Sequence, residues 1–185
     1  MKRTKKSKAA PPDMTAYKGA SLIAFDLSLN LTGWAYVSDM GRIMPGGFTG
    51  LQRLDYVFEV VTGMARHFEL VVMEGLSMAS NYPGASERIG LAYMVRYWLW
   101  KNRIPFILVP PMTLKKFATG KGNADKDMVI KEVYKRWGHD CTISDEADAC
   151  AALHYGLQLI GSEEPQNAIQ RECLLKCEVV MPEGV

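Results

Sequence analysis

Along the chain, stretches in which apolar residues run together at strand length give way to stretches in which they recur with a helical period. Residues 20–29, ASLIAFDLSL, form the first apolar run, and residues 32–38, TGWAYVS, follow with β-forming side chains. Gly41 and the Gly46-Gly47 pair punctuate a third short strand, so three closely spaced strands predict an antiparallel meander. From Leu51 the apolar positions become 51, 54, 57, 58, 61, 64, 65 and 68, a helical period that Gly63 weakens without cancelling. LVVME at 70–74 is a buried strand that ends in an acid. Ser86 is placed to cap a helix running to about Lys101, and PFILV at 105–109 is a further strand. Pro111 starts a short helix, TGKGNAD at 119–125 is a Gly-rich loop, and residues 126–137 form an amphipathic helix. A last helix is predicted from an N-cap at Ser144 to about Ile160.

This order predicts an α/β fold whose mixed five-stranded sheet has three antiparallel strands followed by two parallel ones, with helices on both faces. Residues 1–18 combine basic residues with Pro11-Pro12 and lack an apolar period, so a disordered basic arm is expected there. The domain proper is expected over residues 19–161, and residues 162–185 form a C-terminal extension with no role legible in its pattern. The helix over 85–101 has so few polar positions that it must be buried on two faces or pack on a partner.

Composition adds boundaries to this picture. The longest clean apolar run, residues 104–111, is too short to span a bilayer, and the lysine-rich start leads into AAPPDMTAYKGA rather than an apolar signal core. A cytoplasmic protein with no membrane association is expected, in a bacterial cell or a phage-infected host. Cys141, Cys150, Cys173 and Cys177 show no CxxC spacing, which favours reduced thiols over a disulfide framework or a zinc site that would recruit His139. The formal charge is only +2, yet residues 96–136 carry ten Lys and Arg against three Asp and Glu. A basic stripe in an otherwise acidic body is what phosphate neutralisation requires, although solvated helix faces produce the same composition. Lys115, Lys116, Lys121 and Lys126 are the candidate DNA-binding residues within it.

Two strands that would lie centrally in such a sheet each carry one acid, Asp26 and Glu74, where apolar residues are expected. A buried unpaired carboxylate costs several kcal/mol, so these acids must be paired, protonated or metal-bound. Asp145 and Asp148 stand three apart at the head of the last helix and share one face. Each acid alone has an ordinary reading, as a first-turn complement to a helix dipole or a turn cap. If that helix lies beside the two strands, however, Asp26, Glu74, Asp145 and Asp148 converge as a set of oxygen donors without histidine. Such a set suits hard divalent cations, Mg²⁺ with Mn²⁺ as a substitute. Two such ions about 4 Å apart activate a water and stabilise the leaving oxygen of a phosphodiester.

The residues that carry this chemistry also resemble a known family. AFDLSLNLTGWAYV, with Asp26, Ser28, Thr32, Gly33 and Trp34, resembles the first motif of RuvC-type Holliday-junction resolvases, in the divergent form found in phages and related mobile elements. VVMEG around Glu74 is similar to the second motif. PPMTLKKFATGKGNADKDMV resembles the segment that sets one lysine before a Gly-x-Gly loop and another after it, here Lys115 and Lys126. SDEADACAALHYG resembles the last motif, with Asp145 and Asp148 as its paired acids. The resemblance spans residues 21–159 and implies an RNase H-like fold, Mg²⁺ on the four acids, and lysines on the scissile backbone. It further implies a homodimer through the helix at 85–101 that makes paired symmetric nicks in four-way junctions. One departure bears on specificity: the aromatic residue that bacterial members carry three positions after the motif Glu is here Ser77, with Tyr82 nearby as a substitute stacking platform. The alternative is accordingly a less selective nuclease that cuts flaps, forks and other branched DNA. A scaffold that has lost catalysis conflicts with the presence of all four acids, and an ATP-binding relative of the actin and sugar-kinase fold needs more than 185 residues.

Overall fold

The computed structural model of the chain describes residues 13–76 and 85–182. Ser77, Tyr82 and residues 1–12 of the expected arm lie outside the described residues. The first three strands are β1 (Leu22–Asp26), β2 (Thr32–Tyr36) and β3 (Asp39–Ile43), a meander followed by α1 (Gly50–Ala65). Then come β4 (Leu70–Glu74), α2 (Ala85–Lys101), β5 (Phe106–Val109), α3 (Pro111–Thr119), α4 (Lys126–Trp137) and α5 (Ser144–Leu159). The chain closes with α6 (Ala168–Leu174) and β6 (Glu178–Val180).

The sheet has six strands in the order β3-β2-β1-β4-β5-β6, one more than the five expected. β1 pairs antiparallel with β2 and parallel with β4, β4 pairs parallel with β5, and the additional β6 adds antiparallel to β5. Its sequence, EVV, is short, and only the backbone edge left open by β5 makes it a strand. The C-terminal extension is thus built into the domain. Asn167 caps α6, the Tyr155 hydroxyl donates to the Cys173 carbonyl at 2.8 Å, and Cys173 is buried. At the other end, residues expected in the arm also join the fold: Met14 is buried and Thr15–Tyr17 make a 3-10 turn.

Strand alternation sorts the core into two clusters. Leu22, Ala24, Leu70, Val72, Ile107 and Val109 face α3, α4 and α5, while Ile23, Phe25, Val71, Met73, Phe106 and Leu108 face α1 and α2. Both sheet faces are covered, which is why these strands read as continuous apolar runs. All four cysteines are free thiols. Among the described residues no helix is long and apolar enough to cross a membrane.

α5 lies across β1 and β2 and approaches them closely at two glycines. A Cβ on Gly33 would stand 2.0 Å from the Asp145 carbonyl oxygen, and one on Gly156 would stand 2.6 Å from Leu22 Cδ1 and Val72 Cγ2. The first obstacle is backbone and cannot swing away. We predict that Gly33→Ala lowers unfolding stability by about 1–3 kcal/mol in urea titrations, the usual cost of overpacking. Gly47→Ala, with nothing within 4 Å of the added methyl, serves as the control and is expected to change stability little.

Candidate active site

Asp26 and Glu74 are the last residues of two adjacent parallel strands, one position past the paired Phe25 and Met73. Alternation turns both toward the face on which α5 packs, because Ala24 and Val72, two residues earlier, belong to that cluster. Gly33 sits opposite Asp26 in the β1–β2 pairing and admits the first turn of α5, which carries Asp145 and Asp148. The four acids are thereby brought into electrostatic contact. Burial holds the Asp26 carboxyl well above the usual carboxylate range, and Glu74, Asp148 and Asp145 add repulsion. Glu74 is pushed up to about 7, by burial first and then by Asp148 and Asp145. Asp148 rises to about 6, again chiefly through burial, with Asp145 adding to it.

Three cations oppose this repulsion. Lys115 favours the charged forms of Glu74 and Asp148, and Lys126 favours that of Asp148. Their positions follow from the Gly-rich loop: Gly120 ends α3 at φ 83°, Gly122 packs under the Met112 carbonyl, and Asp125 caps α4 by accepting from the Met128 N–H at 2.8 Å. The two lysines therefore stand on rigid helices at either end of one short loop. Arg88, in the first turns of α2, is the third cation and acts on both Asp26 and Glu74. Sequence reasoning missed it; the available signal was a lone cation near the start of a helix that is otherwise mostly apolar, soon after the strand acid.

The other predicted residues are placed differently. Lys116 bonds Glu172 of α6 at 2.9 Å and so points to the C-terminal segment, away from the acids. Lys121 is exposed in the loop, where its main chain bonds the Thr119 hydroxyl. Ser144 is not the N-cap of α5: Ile143 holds that position, and the Ser144 hydroxyl donates to Asp145 at 3.1 Å. The helix start is secured instead by Glu146, which is buried and accepts from the Thr142 N–H and hydroxyl at 3.0 and 3.1 Å. Arg42 stands 3.8 Å from the same carboxylate. Ser28 and Thr32 close the β1–β2 turn, Thr32 Oγ1 donating to the Ser28 carbonyl at 2.6 Å and accepting from its N–H at 3.0 Å.

The donor set fits a hard divalent cation in its chemistry: four carboxylates, of which Asp26, Glu74 and Asp148 are desolvated and repelled by their neighbours. Among the described residues no three or more His, Cys, Asp or Glu side chains are gathered as a ready-made metal cage. The acids therefore meet as electrostatic neighbours.

This electrostatic state has a measurable consequence. Because Glu74 and Asp148 hold their protons up to about 7 and 6 in the fold, against ordinary values of 4.5 and 3.8, the folded state binds more protons than the unfolded chain between those limits. Stability of the metal-free protein should fall as pH rises from about 4 to about 7. We predict a melting temperature in chelator that drops across this range, a Mg²⁺-induced rise that is larger at about pH 8 than at about pH 5, and a shallower pH dependence in Asp26→Asn. A pH-independent melting temperature would show that the fold does not raise the affinity of these acids for protons.

No protein-family model and no curated protein matches the chain. Solved structures do. The chain superposes on a Thermus thermophilus RuvC structure at a TM-score of 0.57 and 20% identity, covering 75% of this chain and 94% of that one. It superposes on T. thermophilus RuvC in complex with a Holliday junction substrate at a TM-score of 0.63 and 18% identity, covering 77% of this chain and 96% of that one. The chain thus has a RuvC-like, RNase H-like fold.

Proposed function

We propose that the protein is a metal-dependent endonuclease that resolves four-way DNA junctions by paired symmetric nicks. The observation that carries this reading is the meeting of Asp26, Glu74, Asp145 and Asp148 on one sheet face, flanked by Lys115, Lys126 and Arg88. Asp26, Glu74, Asp145 and Asp148 would hold Mg²⁺, or Mn²⁺ in its place. Bound there, the metal supplies an activated water and charge stabilisation at the leaving oxygen. The chain's own part is positioning. Lys115 and Lys126, fixed across the Gly-rich loop, bind the phosphates on either side of the scissile bond and neutralise charge that builds on it. Arg88 offsets the negative charge of Asp26 and Glu74. Lys121, exposed in the loop, adds a backbone contact, and Lys116 contributes through its anchor to α6.

Action on a four-way junction needs two such sites, and the RuvC relative was solved with a Holliday junction. α2 offers the surface for a homodimer. Leu91, Val95 and Leu99 are buried, yet Tyr97 and Trp100 stack at 6.3 Å between centroids while 61% and 51% exposed. An aromatic ridge of this kind on a free surface marks a protein interface. Work on DNA branches would place the protein in the cytoplasm of a bacterium or infected host.

The test is cleavage of an end-labelled four-way junction beside a flap, a fork and linear duplex in Mg²⁺. Paired nicks confined to the junction are expected, whereas comparable cutting of flaps or forks would establish the less selective nuclease. Asp26→Asn should reduce cleavage at least about a hundredfold while leaving junction binding nearly intact, since phosphate contacts supply most of the affinity. Retained cleavage by a folded Asp26→Asn protein overturns the metal mechanism. For the dimer, sedimentation of wild type and the doubly substituted Tyr97→Glu, Trp100→Glu protein is expected to give a dimer and a monomer respectively.

A further inference from the structure

One helical turn beyond Glu146, three sulfur atoms from separate parts of the chain meet. Cys150 of α5 stands 3.7 Å, Sγ to Sγ, from Cys141 in the turn that leads into the helix. Met40 of β3 brings its thioether to 3.3 Å from Cys150 Sγ and 3.6 Å from Cys141 Sγ. The two cysteines lie 101 and 110 positions beyond the methionine, so no CxxC spacing announces the cluster in the sequence. Cys141 and Cys150 are buried, whereas Met40 is only partly buried, on an edge strand of the sheet, and leaves a small ion a path from solvent to the thiols.

The three separations close a nearly equilateral triangle whose centre is about 2 Å from each sulfur, a few tenths short of the roughly 2.3 Å of a metal–thiolate bond. An ion seated slightly off the plane of the sulfurs therefore reaches all three without forcing them apart. The donors decide which ion this is. Thiolates and thioethers are soft ligands that select Cu(I), whereas Mg²⁺ and Ca²⁺ take oxygen. Zn²⁺ asks for four ligands drawn from Cys, His and carboxylate, and a thioether is not among them. The harder groups on this face of α5 are engaged elsewhere: Glu146 accepts from the Thr142 N–H and hydroxyl, and His139 and His154 bond each other at 2.9 Å.

From this juxtaposition we infer that Met40, Cys141 and Cys150 form a binding site for a soft monovalent cation, Cu(I) in a cell. On binding, the two S–H bonds break as two S–Cu bonds form, the protons pass to solvent, and the Met40 sulfur donates a lone pair. Copper remains Cu(I) throughout, so the step takes up and releases no electrons. The bound ion ties β3 to α5, the helix that carries Asp145 and Asp148. Donor hardness keeps the two metal chemistries apart, because Mg²⁺ does not compete for sulfur and Cu(I) does not favour carboxylates. The inference goes beyond the nuclease reading and stands or falls without it.

The test uses the full chain, reduced and free of oxygen, with neither DNA nor Mg²⁺ present. Cu(I) is offered as its coloured complex with the chelator bicinchoninate, whose fading measures transfer to the protein. One equivalent is expected to transfer, with at least about a tenfold loss of affinity in Met40→Leu and a larger loss in Cys141→Ala and Cys150→Ala. Leucine keeps the volume of Met40, so the metal-free melting curve of that variant should match wild type and its loss of affinity reports the ligand. Cys177→Ser, outside the cluster, should bind as wild type does. One equivalent of Ag⁺, equally soft and of the same charge, should raise the melting temperature of wild type and leave the two alanine variants unchanged. Wild-type affinity in Met40→Leu or in either alanine variant overturns the site, as does a loss confined to Cys177→Ser. Failure of wild type to take Cu(I) from the chelator also overturns it and leaves the sulfurs as a packing contact. Tighter binding of Zn²⁺ than of Cu(I) overturns the assignment to a soft monovalent ion.

Discussion

Between α5 and β2 there is no room for a side chain: the carbonyl of Asp145 occupies the space that a Cβ on residue 33 would fill. Much else at this end of the molecule follows from that contact. It sets the height of the helix above the sheet, and with Gly156 against Leu22 and Val72 further along, it fixes the line on which α5 crosses. Asp145 and Asp148 then arrive beside Asp26 and Glu74, which strand alternation has already turned to the same face. Glu146 holds the helix start by its bonds to Thr142, so the acid that lies between the two site residues secures the geometry that the others use.

The arrangement is electrostatically costly. Burial first, and like charges after it, raise the affinity of Asp26, Glu74 and Asp148 for protons, and Asp26 is the extreme case because all three neighbours add to its burial. Lys115, Lys126 and Arg88 offset part of that cost. They do so from three separate helices, so the balance depends on tertiary structure. A group of carboxylates kept together at a cost in stability is typical of a site selected for binding and chemistry.

The C-terminal segment changes how the edge of the sheet should be understood. β6 covers the open edge of β5, α6 anchors through Tyr155 and Lys116, and the residues between them line a cleft at Arg96. An exposed parallel edge strand invites pairing with other chains, and covering it removes that hazard.

Strand and helix positions were legible because period and length speak directly: LVVME became β4 with the boundaries expected, and the helix at 126–137 kept its ends at Lys126 and Trp137. The four acids stood out for the same local reason, as charges at the ends of apolar strands or at a helix head. Long-range relations were not legible in this way. EVV at 178–180 is a strand only because β5 offers unpaired backbone, Lys116 leaves the site only because Glu172 is within reach, and Arg88 matters only because α2 brings it over β1 and β4. The amino-acid sequence by itself determined which residues bear charge and which segments bury their faces, since both are properties of short stretches. Which charges meet, and which surfaces enclose a cleft, was decided by the tertiary structure alone, because those distances are set by packing between segments far apart in the chain.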